Sequence, residues 1–65
     1  MVLTYDNIVE ETEGAVYIQF GEVFGENSHW IPRSCIINLD TSVNEIEVLD
    51  WIVFEKDIRS FNIGN

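Results

Sequence analysis

The chain is poor in cysteine, proline and cations: it holds Cys35, Pro32, and the three basic side chains Arg33, Lys56 and Arg59. A lone thiol forms no internal disulfide, which makes a reducing, cytoplasmic setting the default. Three cations against twelve acids leave a net charge of -9. That field repels polyanions, so direct binding to nucleic acid is not expected. No apolar run approaches the roughly 18 residues that read as a membrane span, so no membrane partner is expected. Met1 to Asp6 lacks the basic region and long apolar stretch of a signal peptide. A metal site needs several converging ligands, whereas His29 and Cys35 stand alone. They read instead as a partly exposed imidazole and a buried thiol that acts as a small hydrophobe. The chain carries no glycine-rich phosphate loop or oxygen-ligand calcium loop, and no cofactor is expected.

What the chain does have is apolar content. At 46% it exceeds that of a disordered acidic tail. Residues 1–65 make one domain. A domain of this size buries only about 60% of its unfolded surface. Most of the rings of Tyr5, Tyr17, Phe20, Phe24, Trp30, Trp51, Phe54 and Phe61 are therefore expected in the core, Trp30 and Trp51 among them. A homodimer is a candidate way to enlarge so small a core.

Residues 3–12 read as a first strand. Tyr5 and Val9 are its strongest apolar positions, and Ile8 breaks the alternation, which calls for a bulge or burial on both faces. Thr12-Glu13-Gly14 is a turn. Ala15 to Phe20 alternates most clearly, with Val16, Ile18 and Phe20 on one face and Ala15, Tyr17 and Gln19 on the other. Gly21 to Asn27 is a turn or short strand, Ser28 to Ile31 a short strand, and Pro32 to Ser34 a turn with a loop of 3₁₀ helix. Cys35 to Leu39 is extended, and Asp40 to Asn44 is a polar loop. Glu45 to Val48 places acids outward and aliphatics inward. Asp50 to Arg59 could prolong that strand, but a short helix from about Asp50 to Ser60 is favoured, with Trp51, Phe54, Ile58 and Phe61 as its apolar stripe. Residues 62–65 should fray. The fold class is mainly β: a small four- or five-stranded barrel-like domain of SH3 or OB type, closed by a short C-terminal helix.

Trp30-Ile31-Pro32-Arg33-Ser34 resembles the Trp-Ile-Pro-Lys-Ser signature of a group of small phage and bacterial proteins. In that pattern a strand hairpin comes first and a Trp-containing helix ends the segment, so the likeness runs over about residues 8–58. Arg33 stands where the pattern has lysine, and the loop at Thr41 to Asn44 is longer. The resemblance implies a small β-barrel-like fold and a phage origin. It implies no activity.

The charge is unevenly placed. Residues 1–54 hold ten acids and one base, and the remainder is neutral. Carboxylates two apart on a strand, such as Glu11 and Glu13 or Glu45 and Glu47, sit about 6–7 Å apart on one face. That spacing is comparable to the phosphates of one nucleic-acid strand. Glu10, Glu11, Glu13, Glu45, Glu47 and Asp50 therefore form the expected partner-binding set, merged into one patch if 3–13 and 45–50 are neighbouring strands. The expected function is a non-enzymatic inhibitor, phage-encoded, that meets the basic surface of a host nucleic-acid-handling defence protein such as a CRISPR effector or restriction enzyme. Two alternatives stand beside it: a single-stranded nucleic-acid-binding barrel using Tyr17, Trp30 and Arg33, and a plain homo-oligomeric structural module. Catalysis is not expected, because a chain this short can hardly shape a substrate cleft between paired carboxylates, and the same holds for a Cys-His pair.

Overall fold

The computed structural model describes residues 1–63. Six strands form two three-stranded antiparallel sheets. The first sheet has the order β1 (Val2–Thr4), β6 (Glu45–Val48), β5 (Ile36–Asp40). The second has the order β2 (Asn7–Glu11), β3 (Ala15–Gln19), β4 (Ser28–Pro32). One helix, α1 (Asp50–Lys56), and a 3₁₀ turn at Arg33–Cys35 complete the main framework. A second 3₁₀ turn spans Arg59–Phe61. No helix of the described residues is long and apolar enough to cross a membrane.

The expected single strand over 3–12 divides at Tyr5 and Asp6, which is why there are six strands rather than four or five. The Tyr5 N–H donates to the carbonyl of Asn44 beside the first sheet, and the next N–H, that of Asp6, donates to Gln19 in the second. The chain thus changes sheets between two adjacent residues. The ladders remain two sheets and do not close into one ring. A register shift between Ile8 and Glu10 is the bulge that Ile8 foretold. Val9, one of the strongest apolar positions of the segment, is exposed beside it.

The core is mostly aliphatic. Leu3, Val16, Ile18, Ile31, Ile46, Val48, Ile52, Val53 and Ile58 are buried with Tyr5, Phe20 and Cys35. Both aromatic expectations for tryptophan fail: Trp30 is 41% and Trp51 56% exposed. Strand alternation explains the first. Ile31 pairs with Val16 on the inner face, so Trp30 pairs with Tyr17 on the outer one. Helix length explains the second. α1 spans two turns and buries Ile52 and Val53, leaving Trp51 and Phe54 outward. Asp57 then takes a left-handed conformation (φ 55°) and ends the helix, so Ile58 and Phe61 belong to no helical stripe. Phe61 instead packs its ring 5.6 Å from that of Phe20.

Residues 62 and 63 do not fray. Asn62 bridges to Leu3, and the Ile63 N–H donates to the carbonyl of Val2. The same expectation for residues 64 and 65 lies outside the described residues.

Asp57 carries two penalties: a non-glycine residue with positive φ and a carboxylate at a helix C-terminus. Asp57→Gly is expected to stabilise the fold by about 1 kcal/mol, read as a higher midpoint in urea unfolding.

Candidate docking surfaces

Arg33 is the first residue whose surroundings change its reading. Its backbone N–H donates to Gly14, its Nε donates to the Thr12 carbonyl at 2.9 Å, and its Nη2 meets Glu11 at 3.2 Å. The tip it holds is a tight turn in which the Thr12 N–H donates to the Ala15 carbonyl and the Ala15 N–H donates to the Thr12 hydroxyl. Arg33 is thus a clamp on the β2–β3 hairpin, occupied by its own chain. Arg33→Ala is expected to cost about 1 kcal/mol, since each such hydrogen bond is worth roughly that net and an exposed ion pair less. Thermal unfolding checks this.

Of the six expected contact carboxylates, Glu45 and Glu47 lie in the first sheet and Glu10 and Glu11 in the second, so residues 3–13 neighbour 45–50 only through β1. β6 lies beside β1 and β5, and β2 lies in the other sheet. Glu45 and Glu47 occupy the outer face of the first sheet, half-buried, opposite Thr4 and Val2 on one side and Asp40 and Asn38 on the other. Glu10 and Glu11 pair across from Tyr17 and Val16, and Glu13 sits in the turn between β2 and β3. Asp50 opens α1, where its carboxylate meets the Met1 ammonium at 2.9 Å. Strand pairing therefore separates Glu10 and Glu11 from Glu45 and Glu47.

Asp40, missed by the sequence reading, faces Glu45 across the ladder, a like-charge pairing that costs stability. It is held ionised by the Ser42 hydroxyl, at 2.6 Å, and by the N–H groups of Ser42 and Val43, which together draw its carboxyl below the ordinary value.

A surface of exposed rings includes Tyr17 and Trp30, the two aromatics named for the nucleic-acid-binding alternative. On the outer face of the second sheet Tyr17 stacks on Trp30, with centroids 5.0 Å apart and planes at 30°. Phe24, from the loop between β3 and β4, meets Tyr17 edge-on at 6.4 Å. The loop that presents Phe24 is shaped by Gly21 and Gly25, both at φ near +85°. It is closed by the Phe20 N–H on Asn27 and the Gly25 N–H on the Ser28 hydroxyl. At its base the buried Gln19 amide donates to the carbonyl of Gly21 at 2.9 Å. The signal for this surface lay in the alternation, which put Tyr17 opposite Val16 and Ile18. A second apolar group, Trp51 and Phe54, lies on α1, where the Arg59 guanidinium already sits 5.5 Å from the Phe54 centroid.

His29 and Cys35 take the places expected of them, a half-buried imidazole on β4 and a buried thiol. Among the described residues no group of three His, Cys, Asp or Glu could hold a metal ion. His29 Nε2 is buried without a partner. Burial, and then the charge of Lys56, push the imidazole below its ordinary value of 6.5. Well above pH 6.5 the ring is neutral in both folded and unfolded chains and adds no pH dependence. As pH falls through 6.5 the unfolded chain takes up the proton first, so stability declines until the folded ring also titrates. The melting temperature is expected to fall between pH 7.5 and 5.5, and to fall less in His29→Leu. Equal slopes for the two proteins would mean that this ring is not responsible.

Compared with protein-family models, curated proteins and solved structures, the chain has no significant match in any of the three.

Proposed function

We propose that this chain is a non-enzymatic acidic binding module whose partner is a basic, nucleic-acid-handling protein. The observation that supports this is the state of the charges. Twelve acids meet three Lys and Arg, and among the described residues two ion pairs form, one of them with the Met1 ammonium. Ten carboxylates are left outside ion pairs, which gives a small body a strong field of one sign. Such a field steers a basic surface toward it and raises association rates by tenfold or more at low salt. In the narrower form of this reading the module is a phage-encoded inhibitor that works in the host cytoplasm and occupies a defence nuclease's groove in place of nucleic acid. The Trp30 to Ser34 resemblance supports that form. We read the two sheets as an open SH3- or OB-like barrel, a reading supported by the shared corner at Tyr5 and Asp6.

Affinity capture from bacterial lysate tests the proposal. The expected catch is a basic nucleic-acid-binding protein, retained at low salt and released as salt shortens the reach of the field. A catch of acidic or neutral proteins held equally well at high salt would count against it.

The Tyr17–Trp30 stack favours a second reading, a platform for unstacked bases. Of the chain's three cations, Arg33 is engaged by Glu11 and Thr12 and Arg59 lies over Phe54, which leaves little to neutralise phosphate. A gel shift with single-stranded DNA at about 0.15 M salt separates the two, and no shift is expected there.

A further inference from the structure

We infer that the outer face of the second sheet is a docking site for arginine side chains of a basic protein segment. This deepens the proposed function and rests on its premise of a basic partner. The site is the Tyr17–Trp30 stack with Phe24 set edge-on against it. Trp30 is 41% and Phe24 60% exposed although the inner face of the same sheet, Val16, Ile18 and Ile31, is sealed in the core. Tyr17 touches both Trp30 on the sheet and Phe24 in the adjoining loop, so the three rings form one patch rather than scattered exposure.

The charges around the patch choose the occupant. Glu10 stands across the ladder from Tyr17, and Glu22 and Glu26 flank Phe24 in its loop, all three exposed. Aromatic faces ringed by carboxylates attract a planar cation twice over: the ring quadrupole draws the guanidinium, and carboxylates accept its forked N–H donors. Arginine suits this better than lysine, because its flat head stacks on rings and is less strongly hydrated. The molecule already makes such a contact elsewhere, with Arg59 over Phe54. A nucleic-acid strand would bring its phosphates against the same carboxylates, and a second copy would bring another net charge of -9.

The test is titration of the whole chain with a nona-arginine peptide, a nona-lysine peptide and an oligo-dT strand at about 0.15 M salt. Binding is followed by calorimetry and by the indole N–H resonances of Trp30 and Trp51. The inference expects nona-arginine to bind more tightly than nona-lysine and to shift the Trp30 resonance while leaving that of Trp51 in place. Trp30→Thr keeps a strand-forming residue at an exposed site, and Tyr17→Thr provides an independent variant. Each is expected to weaken nona-arginine binding by about 5- to 30-fold, the range for removing one desolvated cation–π contact.

Nona-arginine bound equally well by wild type and both variants overturns the inference and leaves the acidic-module reading standing. Oligo-dT binding in preference to either peptide overturns both. Failure of every probe to bind the folded chain overturns the inference as well. Trp30-dependent binding of nona-arginine, without capture of any nucleic-acid-handling protein from lysate, supports the inference while removing the groove reading.

Discussion

Phe20→Ala is expected to unfold most of the protein at 25 °C. Its ring is 1% exposed, lies in the core cluster and packs against Phe61. Truncating a buried phenylalanine costs about 3–5 kcal/mol, through lost transfer energy and the cavity left behind. In a domain of 65 residues a single core rarely supplies more than about 3–5 kcal/mol, and no disulfide supplements it, Cys35 being free. Trp51→Ala is the contrasting variant. A side chain that is 56% exposed on α1 loses little burial, so the expected change stays within about 1 kcal/mol. Far-UV circular dichroism with urea unfolding checks the pair. If Trp51→Ala unfolds and Phe20→Ala does not, the core has been assigned to the wrong side of the helix.

The second large effect concerns where the partner sits. Two double charge reversals alter the net charge equally, each swap adding two units, so that -9 becomes -5. Glu10→Lys with Glu26→Lys changes the rim of the aromatic face. Glu45→Lys with Glu47→Lys changes the outer face of the first sheet. If binding depended on net charge alone, the two variants would lose affinity alike. With the partner on the second sheet, the first pair places like charges directly against the partner's arginines. Its loss is expected near 2 kcal/mol, about thirtyfold, and the second pair's loss at a fraction of that, mostly through the association rate. A greater loss from the Glu45 and Glu47 pair would move the contact to the first sheet.

The fold was legible where one face of a strand is apolar and the other is not. Val16, Ile18 and Phe20 against Ala15 and Tyr17, and Glu45 and Glu47 against Ile46 and Val48, declared their faces by alternation, whereas Gln19 is buried against it by its bond to the Gly21 carbonyl. Ile8 gave away the bulge for the same reason. The division of the first strand was not legible, because Tyr5 and Asp6 carry no glycine or proline to mark it. It comes from hydrogen bonds to Asn44 and Gln19, partners far along the chain. Trp30 misled because Trp30 and Ile31 are both apolar, so alternation cannot choose between them. The choice is made by pairing with β3, which sets Ile31 on Val16. The same register brings Tyr17 beneath Trp30, so the ring surface and the misplaced core residue have one cause. The carboxylate set was readable one residue at a time. Its grouping was not, since it turns on which strands are neighbours.

If the acidic module takes the place of nucleic acid on a basic protein, the two compete for one groove. Labelled duplex DNA bound to the captured partner is titrated with the wild-type chain at about 0.15 M salt, and release is followed by fluorescence anisotropy. Release is expected to saturate at one chain per groove, with the Glu10 and Glu26 reversal needing about thirtyfold more protein. DNA that stays bound while the chain also binds, forming a ternary complex, would contradict it.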